Sequence, residues 1–460
     1  MIGRSAAGLV SAALAAGFFA FSVAFLARPA PGQAEVALDR MSPALLVERL
    51  GAPDFEVRDA AEAELRRRGL AVREALEAAL ASPDPEVRLR AERCLEDIRS
   101  RDRMRLLTGG TPVTIEGDSI AAEDVCARLT AAIGRPVRLD PAFRSLAPAA
   151  RLAIREKPFF AALDEACRAL DADFEFDDRY DSNARAFISD IRVVGPPPVA
   201  RAPRAIDGPF LATLGEARLR DERIVRFGRE EDALVDSRRD LTLSFQVRWE
   251  SGLPVLGHSE ATVVSAIASD GRSLLAEGLE PASPQRRSFR SFGGTGRSIR
   301  QSELRVEVPG IPFDAKALAK IAFRATFVVP TEIGEVLFEA LPEEGESIVR
   351  GDGVVVATLS RQSTGAGRDF TLAIDRPSPA GPSNEATASF RNQHEFFGIE
   401  ADGKRTAVGS FSARVSNQKL EYVLQLEQPG MAPRAFAFRY VKEMISLEPT
   451  FALEGLALPE

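Results

Sequence analysis

The sequence predicts a multidomain chain: N-terminal α-helical repeats, then a small α+β module, then two all-β, sandwich-like domains. Three observations predict it. A six-residue phrase recurs at an offset of 30 residues within a helical stretch. A strand–helix–strand–strand–helix–strand order (βαββαβ) fills residues 112–194. Beyond residue 207 the apolar period changes from helical to two, the mark of half-buried strands. At 460 residues the chain has room for about three or four domains, each with its own core.

Residues 1–34 are expected to be a signal peptide or an N-terminal membrane anchor. Ala6–Leu26 is an uncharged run of 21 residues, long enough to cross a bilayer as a helix. Gly32-Gln33-Ala34 behind it is a small-x-small site of the kind a signal peptidase cuts. Length leaves cleavage or anchoring open. In both cases Arg4 stays in the cytoplasm and the remainder crosses, to the periplasm or the outer face of the inner membrane. The excess of Arg over Lys and the abundance of Ala fit GC-rich bacterial coding.

Residues 35–108 read as helices. Ser42-Pro43 is a helix start, a polar cap before proline at the first helical position. Pro53-Asp54-Phe55-Glu56-Val57-Arg58 returns as Pro83-Asp84-Pro85-Glu86-Val87-Arg88, and the match runs on through Ala61/Ala91, Glu62/Glu92 and Leu65/Leu95. Val57, Ala61 and Leu65 lie four apart on one helix face, as do Val87, Ala91 and Leu95. With Pro-Asp at the turns and Val-Arg after it, residues 42–106 resemble a HEAT-type helical repeat. Arrays of this kind usually need about three units. Only about two helix pairs fit here, so the segment is expected to dock on the central module or on a partner. Arg66-Arg67-Arg68 ahead of Gly69 suits the negative end of a helix better than an anion patch.

In the central module, residues 109–196, Val113 and Ile115 start a strand and Ser119 is placed to cap a helix. Val125, Leu129, Ala132 and Ile133 recur at helical spacing, and Gly134 supplies a left-handed end. Val137/Leu139 and Leu152/Ile154 alternate as strands. Pro158 opens a second helix with the stripe Phe160, Leu163, Cys167 and Leu170; Phe174/Phe176 and Phe187–Val194 close the module. A helix ending at Ile-Gly, a short strand and an Ala/Leu-rich second helix make this stretch resemble the secretin/TonB short N-terminal domain. That resemblance implies a small periplasmic module that touches partner proteins and carries no chemistry. No secretin pore sequence follows it.

A Pro-rich linker spans 197–206, after Gly195-Pro196-Pro197-Pro198. Leu241, Leu243, Phe245, Val247 and Trp249 then alternate with polar residues, and Ile321–Val329 repeats the pattern up to Pro330. So do Phe370–Ile374, Phe411–Val415, Tyr422–Leu426, Phe436–Tyr440 and Phe451–Leu453. Asp270-Gly271, Asp352-Gly353 and Asp402-Gly403 are hairpin-turn signals. The length favours two sandwich-like domains, 207–345 and 346–460, with the seam near Pro342–Glu346.

The chemistry on offer is thin. A net charge of -8 gives no positive field for nucleic acid. Two histidines, His258 and His394, exclude three-His and two-His-carboxylate metal sites, so neither metal nor cofactor is expected. Cys94, Cys126 and Cys167 fall on apolar helix stripes and read as buried hydrophobes; a Cys126–Cys167 disulfide stays open in an oxidising compartment. Gly257-His258-Ser259-Glu260-Ala261 approaches a nucleophile elbow, but Ala261 replaces the last glycine and a strand follows where the elbow needs a helix. Gly293–Ser298 matches a phosphate loop only at its end, with Arg297 in place of lysine. Asp171, Asp173, Asp177, Asp178 and Asp181 lack calcium-loop spacing. Arg350-Gly351-Asp352 reads as a hairpin tip.

These observations point to an exported cell-envelope binding or scaffold protein that acts through protein–protein contacts without catalysis. Its partners would be envelope proteins, met through the helical repeat and the α+β module, and the membrane if the N-terminal helix is retained. Two alternatives stand. One is an envelope hydrolase using Ser259 in the β half. The other is a polysaccharide- or lipid-binding protein using Arg286, Arg287, Arg290, Arg297 and Arg300.

Overall fold

The computed structural model describes residues 38–146, 148–181, 186–196, 201–226, 234–275, 289–291, 301–364, 367–375, 394–408, 411–416, 419–426 and 433–459. Residues 1–34 lie outside these. Among the described residues no helix is long and apolar enough to cross a membrane. Among the described residues strands outweigh helices, 49% against 26%, and they build several sheets. The chain divides into two compact units, one ending at Arg103 and one beginning at Met104.

The first unit is helical: α1 (Pro43–Arg49), α2 (Phe55–Arg68), α3 (Arg73–Ala79) and the start of α4 (Pro85–Gly109). The repeated phrase recurs as repeated contacts. Asp54 caps α2 by accepting the Glu56 amide at 2.9 Å, and Asp84 accepts the Glu86 amide at 2.8 Å. Arg58 folds back onto the carbonyls of Ala52 and Pro53 (2.6 and 2.9 Å), and Arg88 onto those of Ser82 and Pro83 (2.6 and 3.0 Å). Ala61, Leu65, Val87, Ala91, Cys94 and Leu95 face one core with Leu46, Leu50 and Leu76. The arginine triplet is used internally: Arg66 meets Glu62 at 2.5 Å, Arg67 and Arg68 meet the buried Glu64, and Arg68 also donates to the Met41 and Leu38 carbonyls. The two guanidiniums hold the Glu64 carboxyl down at about 2.

The second unit opens with the α+β module. It contains β1 (Pro112–Ala121), α5 (Ala122–Ile133), β2 (Val137–Leu139), α6 (Pro141–Arg144), β3 (Ala149–Pro158), α7 (Phe159–Ala169), β4 (Asp173–Asp181) and β5 (Ala186–Val194). That is one strand more than βαββαβ. β1 pairs antiparallel with β3; β2 runs parallel to β5, which pairs antiparallel with β4. Helices α5 and α7 close the core through Val125, Leu129, Phe159, Phe160, Leu163 and Cys167. Gly134 ends α5 at φ 63°, as its position requires. Ser119 is not the cap. β1 continues past it through a bulge between Gly117 and Ile120, and α5 begins at Ala122, whose amide goes to the Pro148 carbonyl instead.

The β half begins at β6 (Arg204–Asp207), so residues 204–206 belong to a strand rather than a linker. β6, β7 (Phe210–Arg226), β8 (Leu234–Trp249) and β12 (Gln301–Val308) form one sheet in the order β12-β8-β7-β6. It faces a second sheet made of β10 (Thr262–Ala268), β13 (Ala317–Arg324) and the last strand, β23 (Thr450–Ala457). The alternating residues Leu241, Leu243, Phe245, Val247 and Trp249 all point into the core between them, joined by Leu107, so residues 104–108 belong with this unit and not with the helices before it. Ile321–Val329 is not one strand. The chain switches sheets at Ala325-Thr326, and β14 (Phe327–Phe338) runs on through Pro330, which sits at a bulge where its missing N–H is tolerated.

A six-stranded sheet is built from β9 (Gly257–Ser259), β11 (Phe289–Ser291), β14, β18 (His394–Ile399), β19 (Arg405–Ala407) and β22 (Ala435–Leu447). It faces a five-stranded sheet of β15 (Ser347–Gly351), β16 (Val356–Thr364), β17 (Gly367–Asp375), β20 (Phe411–Ser416) and β21 (Lys419–Leu424). The expected seam at 342–346 does not separate the two cores. β14 and β22 pair along their whole length, giving Phe327, Val329 and Leu447 to the first core and Val336, Phe338, Phe436 and Phe438 to the second. β23 then returns to β13, so residues 450–457 complete the first core. The three Asp-Gly turns have their glycines at φ 85°, 87° and 82°, the left-handed region those turns need.

Candidate functional site

A groove of about 630 Å³ lies on the α+β module. Local rules put each wall in place. The three residues of β2 alternate, so Val137 and Leu139 turn inward while Arg138 points out. Thr130 of α5 accepts the Val137 amide at 2.9 Å and ties that strand to the helix. Asp140 caps α6 through the Ala142 amide and thereby sets Arg144 on the rim. Ile191 and Cys126 join Val137 and Leu139 in an apolar floor, with Ala127 and Pro141 beside them.

Charges ring this floor. Arg138 lies 3.4 Å from Asp190, Arg144 3.7 Å from Glu123, and Arg192 2.9 Å from Glu175. Asp177 stands directly opposite Asp190 across β4 and β5, a like-charge pair that costs stability unless a cation is near. The first two arginines hold their carboxylates loosely and stay well exposed, which suits a surface that exchanges internal ion pairs for external ones. The thiol in the floor offers no nucleophile: burial pushes Cys126 up to about 11, and Cys167 behind it is raised further by burial. Both cysteines are free thiols.

The remaining candidates are dispersed. Ser259 is fully buried in a strand; its hydroxyl donates to the Glu260 carbonyl at 2.8 Å and accepts the Thr326 amide at 2.9 Å. His258 bonds Ser302 Oγ at 2.7 Å through Nε2 and the Ser259 carbonyl at 2.8 Å through Nδ1, while His394 meets the Tyr422 hydroxyl in the other β core. A strand, β10, follows Ser259, so the elbow geometry is absent. Ser259→Ala should therefore cost stability rather than activity. The Thr326 amide would lose its acceptor, a loss of about 1–3 kcal/mol in thermal or urea unfolding. Wild type should resist a serine-directed phosphonate; labelling that Ser259→Ala abolishes would return the hydrolase reading.

Arg286, Arg287, Arg297 and Arg300, with Gly293–Ser298, lie outside the described residues, and of Arg290 only the backbone, paired with His258 in β11, is described. Of the five aspartates, the side chain of Asp181 lies outside the described residues, and the other four do not converge on one point. Asp171 takes a left-handed turn at the end of α7, Asp173 holds Arg204, Asp178 holds Arg248, and Asp177 faces the groove. Among the described residues no group of three His, Cys, Asp or Glu could hold a metal ion. Asp352 of the Arg-Gly-Asp tripeptide is turned inward, bonded to the Tyr440 hydroxyl and the Val354 amide, and it caps its own hairpin.

The sequence reading missed the charged junction between the module and the first β-sheet. Arg248 forms a fork with Asp178 (3.0 and 2.5 Å) and stacks 4.0 Å over Phe176. Arg204 joins Asp173 at 2.6 Å and stacks 3.9 Å over Phe174. Glu250 accepts the Thr111 amide at 2.7 Å. One signal was legible: Arg248 and Glu250 flank Trp249 where the alternating run ends. Among known proteins, no family model, no curated sequence and no solved structure matches this chain.

Proposed function

We propose that this chain is an exported cell-envelope binding or scaffold protein that works by protein–protein contact and carries no catalysis. The groove on the α+β module carries the reading: an apolar floor under exposed, loosely paired arginines and carboxylates is the surface of a protein-binding module. The same module resembles the secretin/TonB short N-terminal domain, a contact domain. The HEAT-like helices ahead of it serve as a second contact surface, and the sandwich-like β domains as a spacer. Ser259 and both histidines, committed to internal hydrogen bonds, support a non-catalytic reading. Export rests on the apolar run Ala6–Leu26.

The test is a cross-linked capture from native envelopes with the full chain and an Arg138→Glu/Arg144→Glu double variant as baits. One envelope protein should be recovered with wild type and fall by about tenfold or more with the variant, since reversed rim charges cost several kcal/mol at such a surface. Equal recovery by both baits would move recognition off the groove. Turnover of a defined substrate, lost on one polar substitution, would overturn the non-catalytic reading.

A further inference from the structure

At the end of β8 the chain turns past a small, half-open pocket of about 30 Å³ between the α+β module and the first β-sheet. Its walls are Ile133 and Arg135 after α5, Phe159 and Phe160 of α7, Phe176 of β4, and Arg248–Ser251. Two opposite charges border this space. Glu250 is only 5% exposed; Oε2 takes the Thr111 amide, and Oε1, equally buried, has no hydrogen-bond partner. Arg135 is half-buried and makes no hydrogen bond or ion pair among the described residues. Burial lowers its guanidinium pKa, with Asp190 acting the other way. The other charge facing the cavity, Arg248, is taken up by Asp178. Opposite these groups the carboxylate rests on bare backbone: a Cβ on Gly110 would stand 2.6 Å from Oε1 and 3.2 Å from Pro209.

We propose that Glu250 is a proton-controlled clasp that fixes the α+β module to the first β-sheet. The geometry explains why a proton is the effector. A pocket of this size admits water rather than a larger ligand. The side chain ties the end of β8 to the amide that leads into β1, and it lies near the first turn of α7, whose own cap, Pro158, offers no side-chain acceptor. The sign follows from burial, which raises the Glu250 pKa above its ordinary 4.5, partly offset by the Thr111 hydroxyl and the Thr111 and Phe159 amides. A carboxyl raised on docking favours the docked state when protonated. The clasp is therefore tightest in acid and loosens as pH rises from 4.5 through the docked value, then levels off.

Hydrogen exchange of the Thr111 amide in the full chain reads this directly, corrected for intrinsic rate and referenced to an amide inside β8. Protection should be severalfold lower at pH 8 than at pH 5, the direction that a carboxyl raised on docking requires. Glu250→Gln should make it independent of pH. The wild-type profile carries the test even where Glu250→Gln fails to fold. A flat wild-type profile, or a pH dependence surviving in Glu250→Gln, overturns the assignment.

Discussion

Replacing Arg204 with alanine should destabilise the second unit by about 3–5 kcal/mol, the range for breaking one side of a buried ion pair. The guanidinium lies 2.6 Å from Asp173 and 3.7 Å from Asp164, and it donates to the Phe174 carbonyl at 3.1 Å. Its side chain is 11% exposed and that of Asp173 13%, so the variant strands this carboxylate away from water, while Asp164 keeps Arg168 at 2.6 Å. Trp249, the only tryptophan, is buried at the same junction and reports the event by fluorescence in a urea titration. Arg204→Ala/Asp173→Asn should recover part of the loss, since it removes one stranded charge. A shift below about 1 kcal/mol would mean that the pair behaves as an exposed one.

Phe323→Ala should cost a similar amount, about 3–5 kcal/mol, for a different reason. The ring is fully buried, with its centre 4.4 Å from that of Phe245 on the facing sheet and 5.2 Å from that of Phe451 on β23. Close-packed sheets relax little around such a void. The denaturant midpoint should fall without a change in slope, and Phe323→Leu should lose under about 1.5 kcal/mol. Equal losses for the two variants would show that the ring's shape, not its volume, is what the site needs.

Much of the strand content was readable because alternation reports which face a residue takes. Leu241 to Trp249 was read correctly for that reason. Alternation says nothing about neighbours. It gave no hint that Phe323 and Phe327, four residues apart, lie in different sheets, or that β23 pairs with β13. The helix ends show the same division. Gly134 was legible as a left-handed residue, whereas Ser119 was misplaced because a bulge let β1 run past it. At the junction the partners are remote: Arg248 and Asp178 are 70 positions apart, and Thr111 and Glu250 are 139 apart. Single-sequence periodicity has no term for such pairs. The groove was hidden likewise, since its walls come from two helices and three strands.

The paired strands β14 and β22, with β23 after them, also set a timetable. Both β cores depend on residues 435–457. A chain emerging N-terminus first therefore cannot close either until its last two strands arrive. Until then Phe323 and the open edge of β13 stand exposed, the situation in which β-rich chains aggregate or recruit a holding chaperone. Removing residues 449–460 would thus be felt at residue 323, in the first β core, where β13 loses the strand it pairs with.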